Sequence, residues 1–205
     1  RVTVVHMPRG EYGGVSEQSE AEVAATREAE ARAAGEVLGV DDVTFLDFAD
    51  GRVTYSLEDR LRLVDVLREH DPDRVLTHFR DDMHPDHRAT ARLVTDAYYM
   101  ASLPLCETDH PPCDPDNVYY FGKPTSSFEP ETFVEISGYV DRKLDALERH
   151  ESQVEFLVEH GGIDAEFDNL AESLRAEGLV LGKQTGCTAA EGFVPLHENA
   201  RAYLD

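Results

Sequence analysis

Short runs of β-branched and apolar residues alternate with longer amphipathic stretches along this chain, and that alternation is what most narrows its fold. Val2 to Met7 reads as a buried strand. Glu20 to Leu38, rich in Ala and Glu and closed by Gly39, reads as a long helix. Val43 to Phe48 is a second strand, ended by the turn Asp50-Gly51. Ser56 caps a helix running to Glu69, in which Leu57, Leu61, Val64 and Leu67 form one apolar stripe and which Pro72 ends. Arg74 to Phe79 is a third strand, and a helix follows from about Arg88 to Met100. Beyond a Pro- and acid-rich loop from Ser102 to Asn117, short strands are expected at Val118 to Phe121 and Thr132 to Ile136. Helices are expected over Tyr139 to Val158 and Asp164 to Leu181, with an irregular tail after them.

Strand and helix in strict alternation imply right-handed crossovers. The expected class is therefore α/β, a Rossmann-like, mostly parallel sheet with helices on both faces, in one domain spanning residues 1–205. Ligands of such sheets sit beyond the carboxyl ends of the strands. Two loops fall there, Pro8 to Ser16 and Asp81 to His87. The sequence opens directly on a strand, where a doubly wound sheet would set a further βα unit beside it.

Composition limits the partners. There are 42 Asp and Glu against 19 Lys and Arg, a net charge of −23 spread along the chain. Such a surface repels phosphate backbones and anionic lipid, so neither nucleic acid nor a membrane is expected as a partner. No apolar run approaches the roughly 20 residues that span a bilayer. The absence of a charged-then-apolar leader points to a cytoplasmic protein. Few Lys, many carboxylates and no Trp fit a protein kept soluble in concentrated salt, a halophilic cytoplasm, while an ordinary acidic enzyme is the plainer reading. The three cysteines, Cys106, Cys113 and Cys187, are odd in number and irregular in spacing, which is neither a disulfide framework nor a zinc finger.

The most informative tetrapeptide is His84-Pro85-Asp86-His87, at the junction of a buried strand and a helix. Two imidazoles three residues apart, with a carboxylate between them, can divide labour. One can bind a metal through a neutral nitrogen while the other meets substrate. A carboxylate can fix an imidazole's tautomer. A polar helix cap with both histidines solvated explains the same four residues equally well. A catalytic zinc site takes about three protein ligands and an open position, which these residues cannot supply unaided.

The chain resembles the PIG-L/LmbE-like N-acetylglucosaminyl deacetylases over nearly its whole length. Val2-Thr3-Val4-Val5 followed by Arg9-Gly10-Glu11 looks like a strand and loop of that family. Thr26-Arg27-Glu28-Ala29-Glu30 with Leu38-Gly39 looks like its first retained helix, and Phe45-Leu46-Asp47-Phe48 with Asp50-Gly51 matches its next strand and turn. His84-Pro85-Asp86-His87-Arg88-Ala89 is similar to its second signature. Lys143, Ala146-Leu147, His150 and Ser152-Gln153 match a helix pattern, and Ala190-Glu191-Gly192-Phe193 a C-terminal tetrapeptide. The family's first signature, Ala-His-Pro-Asp-Asp, would precede Val2 by a strand and a helix and has no counterpart here. The first βα unit is therefore expected to lie outside these 205 residues.

That resemblance implies a zinc-dependent hydrolase removing an acetyl group from an N-acylated sugar. It assigns His87 to the metal and His84 to stabilising or protonating the tetrahedral intermediate. It makes Asp86 the residue that orients His84, and Arg27 a substrate-binding residue. Glu11, beside Gly10 and Gly13-Gly14, is a further candidate at the pocket, although those glycines are equally explained by a flexible turn. Met83 stands where many relatives carry a Tyr. With one His from the metal set, the chain by itself is expected to bind zinc weakly or not at all. His78 is expected as a satisfied core residue, placed near enough to the loop to act from behind it. Two other readings stay open: a sugar-conjugate binding protein without activity, and a metallohydrolase of another small amide. Self-association into a homo-oligomer is compatible with all three.

Overall fold

The computed structural model describes residues 1–14, 17–122, 127–160 and 167–197. Its strands are β1 (Thr3–His6), β2 (Asp42–Phe45), β3 (Arg74–His78), β4 (Asn117–Phe121), β5 (Thr132–Glu135) and β6 (Ala190–Pro195). Its helices are α1 (Glu20–Leu38), α2 (Leu57–His70), α3 (Pro85–Ala101), α4 (Val140–Leu147), α5 (Glu151–His160) and α6 (Phe167–Thr185). The chain is α/β with mostly parallel strands. Instead of the single expected sheet there are two: β1 pairs with β2, and a four-stranded sheet runs β3-β4-β6-β5. β1/β2 and β3/β4 are parallel, and β4/β6 is antiparallel.

The chain divides into two compact units, Arg1–Val53 with Phe133–Glu191, and Thr54–Thr132 with the residues from Gly192 on. In the first, α1 packs on β2 and α4. Its ends follow from local chemistry. Ser19 accepts from the backbone N–H of Glu22 while the Glu22 carboxylate accepts from the Ser19 N–H, a reciprocal cap, and Gly39 closes the helix at φ 77°. Val23, Ala31, Ala34 and Val43 are buried in this unit. The unit also holds the break in the expected 139–158 helix. It splits into α4 and α5, the turn at Glu148–His150 being closed by Glu148 N–H to Leu144 O and His150 N–H to Leu147 O.

In the second unit α2 packs on α3, and α3 on β3. Ser56 caps α2 through the Asp59 N–H, as its sequence predicts. The buried side of α2 is Leu63, Val64 and Arg68, with Leu57 exposed at the start of the expected stripe. The core joins Phe79, Ala91, Val118, Tyr120 and Val194. Tyr120 satisfies its hydroxyl against Thr95 Oγ1 at 2.6 Å. Asn117, fully buried, accepts from the N–H of His197 and donates to its carbonyl, tying the C-terminal segment to β4. The sequence predicts an irregular tail for that segment. Instead Ala190–Pro195 forms β6, whose Val194 and Pro195 face Tyr120 and Tyr119 across an antiparallel ladder.

Candidate active site

Helix α3 begins at Pro85, three residues before the start expected from its apolar spacing. Proline suits the first helical position, where its missing N–H costs nothing. This moves His84 to the N-cap. There its Nδ1 accepts the backbone N–H of Asp86 at 3.2 Å. A nitrogen that accepts carries no proton, so neutral His84 holds its hydrogen on Nε2 and presents a donor. The Asp86 residue is buried while His84 is exposed. The Asp86 main-chain N–H meets the His84 ring at a helix N-terminus, where unpaired N–H groups concentrate positive potential.

One turn on, His87 is half-buried and held on three sides. Its Nδ1 lies 3.1 Å from Oδ2 of Asp82, whose side chain is 3% exposed. The His78 ring stacks on it at 3.9 Å between centroids with 3° between planes, and the His84 ring at 4.5 Å and 28°. Phe121 in turn meets His78 edge-on at 4.9 Å. Asp82 also accepts the His84 N–H on Oδ1 at 2.8 Å, so a single buried carboxylate touches both histidines of the motif. Arg88 ties the same loop by donating to the carbonyls of Asp82 and Met83. From the sequence Asp82 reads only as a loop residue. Its signal is a carboxylate two residues before one histidine and five before the other, close enough for the turn to fold it back on both.

Arg27 and Glu11 belong to the other unit. Arg27 is 8% exposed. Its Nη2 donates to Gly13 O at 2.7 Å, and its Nε has no hydrogen-bond partner among the described residues. A Cβ at Gly13 would stand 2.9 Å from that guanidinium, so a side chain there would push the Arg27 head group aside. Burial lowers the Arg27 pKa, an effect opposed by Glu30 and Asp50. Arg27 lines a hollow of about 180 Å³ with Gly13, Gly14, Ser152, Glu155 and Phe156 among its walls. Glu11 does not line it. Its carboxylate accepts the Asp50 N–H at 2.9 Å while Asp50 accepts the Tyr12 N–H at 3.0 Å, latching the two loops of this unit together.

Known proteins share this arrangement of elements. The family described as PIG-L, GlcNAc-PI de-N-acetylase, matches residues 1–98. A diacetylchitobiose deacetylase of Thermococcus kodakarensis is 33% identical over 181 residues, 85% of this chain and 64% of that protein. The chain belongs to the PIG-L/LmbE-like family. Another relative, the 4-oxalmesaconate hydratase of Pseudomonas putida, is 31% identical over 136 residues, 64% of this chain and 52% of that protein. The solved N,N'-diacetylchitobiose deacetylase of Pyrococcus horikoshii superposes with a TM-score of 0.80 at 25% identity, over 96% of this chain and 73% of that one. The chain thus spans less than two thirds of the length of these curated PIG-L/LmbE-like relatives.

Resemblance to the family implies zinc. Among the described residues no three His, Cys, Asp or Glu side chains gather as a group able to hold a metal. The donors present are one imidazole with a carboxylate behind it, the pairing that metal-bound histidines usually have. This is a single ligand with its support, and it falls short of the set a zinc site needs. Among the described residues no helix is long and apolar enough to cross a membrane.

Proposed function

We propose that this chain carries part of the active site of an amide hydrolase that removes the acetyl group from an N-acetylated sugar. One observation carries the reading: His84 is fixed at the α3 N-cap with Nδ1 occupied by a backbone N–H, leaving Nε2–H as a donor beside the braced ring of His87. Hydrolysis of an amide builds negative charge on the carbonyl oxygen, and a preset donor near a helix N-terminus is suited to receive it. The diacetylchitobiose deacetylase relatives support the choice of substrate class.

In this reading neutral His84 donates from Nε2 to the developing oxyanion. Protonating Nδ1 would break its bond to the Asp86 N–H, so a neutral donor suits the geometry better than an imidazolium. Asp86 holds the ring through its main chain. His87 would supply one ligand to a zinc ion completed by donors beyond these residues, and the chemistry such an ion would supply is polarisation of the carbonyl and acidification of a water. Arg27 is the proposed substrate contact of the first unit, supported by its buried guanidinium and open Nε.

The hydratase relative favours a second reading, addition of water to an unsaturated carboxylate. Acetate release from N-acetylglucosamine and N,N'-diacetylchitobiose by a protein that carries these residues together with the remaining metal ligands, with zinc added and with a chelator, decides between them. The deacetylase reading expects release with zinc and a loss in kcat of about 100-fold or more in His84→Ala. Hydration of 4-oxalmesaconate with no acetate from either sugar would overturn it.

A further inference from the structure

Arg27 carries a charge that the first unit does not answer. It is 8% exposed, its Nη2 donates to Gly13 O at 2.7 Å, and its Nε has no hydrogen-bond partner among the described residues. The two carboxylates whose charge reaches it, Glu30 and Asp50, are both engaged elsewhere. Glu30 takes the N–H and the Oγ of Ser152 at 2.7 and 2.8 Å. Asp50 takes the N–H groups of Tyr12 and Gly51, each at 3.0 Å. A buried cation without a counterion is costly, and a ligand of opposite charge removes that cost. Space for one exists, since Arg27 lines the hollow of about 180 Å³ together with Val23, Thr26, Glu155 and Phe156.

We propose that this hollow binds a small organic monocarboxylate, whose charge answers that of Arg27. Its volume lies below the roughly 300 Å³ at which pockets for drug-sized ligands begin, so it suits a group of a few heavy atoms. One guanidinium offers a single charge, and Glu155 on the wall opposes a second negative charge on the ligand, which favours a monoanion over a phosphate or sulfate dianion. Val23 and Phe156 give the hollow an apolar side, which suits an acid with a methyl group over an inorganic ion. Acetate has all three properties. The net charge of −23 repels anions from the rest of the surface, so binding is local to this guanidinium. The proposal deepens the role given to Arg27 above, since acetate is also the acid that the proposed reaction releases, but its test needs neither turnover nor metal.

The experiment titrates the ¹⁵N-labelled 205-residue protein with sodium acetate at about pH 7.5, where carboxylates are ionised. The signals followed are the Arg27 Nε–H and the backbone amides of Gly13 and Gly14. Acetate replaces sodium chloride at a constant ionic strength of about 0.15 M, so screening does not change. Acetamide, neutral and of the same shape, is the parallel titrant. The expected result is a saturable shift with acetate, with a dissociation constant of about 1–10 mM, and binding of acetamide weaker by about 10-fold or more. Arg27→Gln should lose the acetate response. Equal responses to acetate and acetamide, no saturable response to acetate, or a response kept in Arg27→Gln would overturn the proposal. If Arg27→Gln does not fold, the two titrations of the wild type decide alone. Failure of the deacetylase reading would appear as missing acetate release with acetate bound as expected, whereas acetate release without saturable binding would sink this proposal alone.

Discussion

The rings of His78 and His87 lie parallel, 3.9 Å apart with 3° between their planes, although one closes β3 and the other stands in the first turn of α3. A face-on contact across the strand-to-helix loop fixes the plane of His87 as a hydrogen bond alone would not. His78→Leu is expected to fill the space and lose the flat stack. Supporting partners of this kind are worth about 10–100-fold in activity or metal affinity. His78→Phe keeps a planar ring and should retain most activity. Steady-state kinetics of both variants, with kcat separated from KM, check this, and an equal loss in the two would mean the stack is incidental.

Arg68 organises the loop after α3. Buried to 4% exposure, it donates from Nε to Ala101 O, from Nη2 to Leu103 O, and from Nη1 to Cys106 O and Thr108 Oγ1. One guanidinium therefore gathers three carbonyls at the C-terminus of α3 and in the following loop, two of which, Ala101 O and Leu103 O, also accept the N–H groups of Cys113 and Cys106. Arg68→Ala removes these buried donors together and leaves Cys106 O without its guanidinium partner, and the expected cost is about 2 kcal/mol. Arg68→Lys should recover only part, because an ammonium lacks the planar fork. Urea unfolding midpoints of the three proteins test the ranking.

Two glycines of α6 give opposite expectations. A Cβ on Gly182 would lie 2.7 Å from the backbone of Ala189 and Thr188, which cannot swing aside as a side chain would. On Gly178 the nearest atom is 3.6 Å away, ordinary contact. Replacing a helical Gly by Ala gains up to about 1 kcal/mol from backbone entropy. Gly178→Ala should show that gain as a raised Tm. Gly182→Ala should show a net loss, since overpacking costs about 1–3 kcal/mol.

What the sequence makes legible is local. The ends of α1 are readable because Ser19, Glu22 and Gly39 act within a turn of where they stand. The motif at 84–87 is recognisable, yet its geometry is not, since Pro85 can be read as a loop residue or as the first of a helix. The split between α4 and α5 carries no Gly or Pro to announce it. Strand β6 exists through its pairing with β4, far away in sequence, and its Gly192 and Pro195 argue against a strand. Asp82 and Arg68 escape for the same reason. Each is an ordinary charged residue until the fold closes over it.

The charge balance gives a salt prediction. With 42 acidic and 19 basic side chains, self-repulsion opposes the compact state. Raising the salt from about 0.1 M to about 1 M shortens the screening length from roughly 10 Å to 3 Å. The expected result is a Tm that climbs with sodium chloride across that range. A flat response would remove the case for adaptation to concentrated salt.

Acid should act on the first unit through two histidines. Burial lowers the pKa of His6, helped by His150 and by Arg32. Burial likewise lowers that of His150, with Glu30 opposing and Arg27 assisting. The ordinary value is 6.5 for both. Above it both rings are neutral, folded or unfolded, and their contribution to stability is complete. As the pH falls below it, the unfolded chain takes up protons that the folded one still refuses, so stability drops until the lowered folded values are reached. Glu22 and Glu28 are held below 4.5, and their loss belongs to a more acidic window. Tm should therefore be level between about pH 7 and 8 and fall below about 6.5. The His6 ring stacks on Phe45 at 4.9 Å, so His6→Phe keeps a flat ring against that neighbour while removing the proton site. Combined with His150→Gln, it should flatten the decline between about pH 6.5 and 5. Parallel Tm profiles for wild type and double variant would place the acid sensitivity elsewhere.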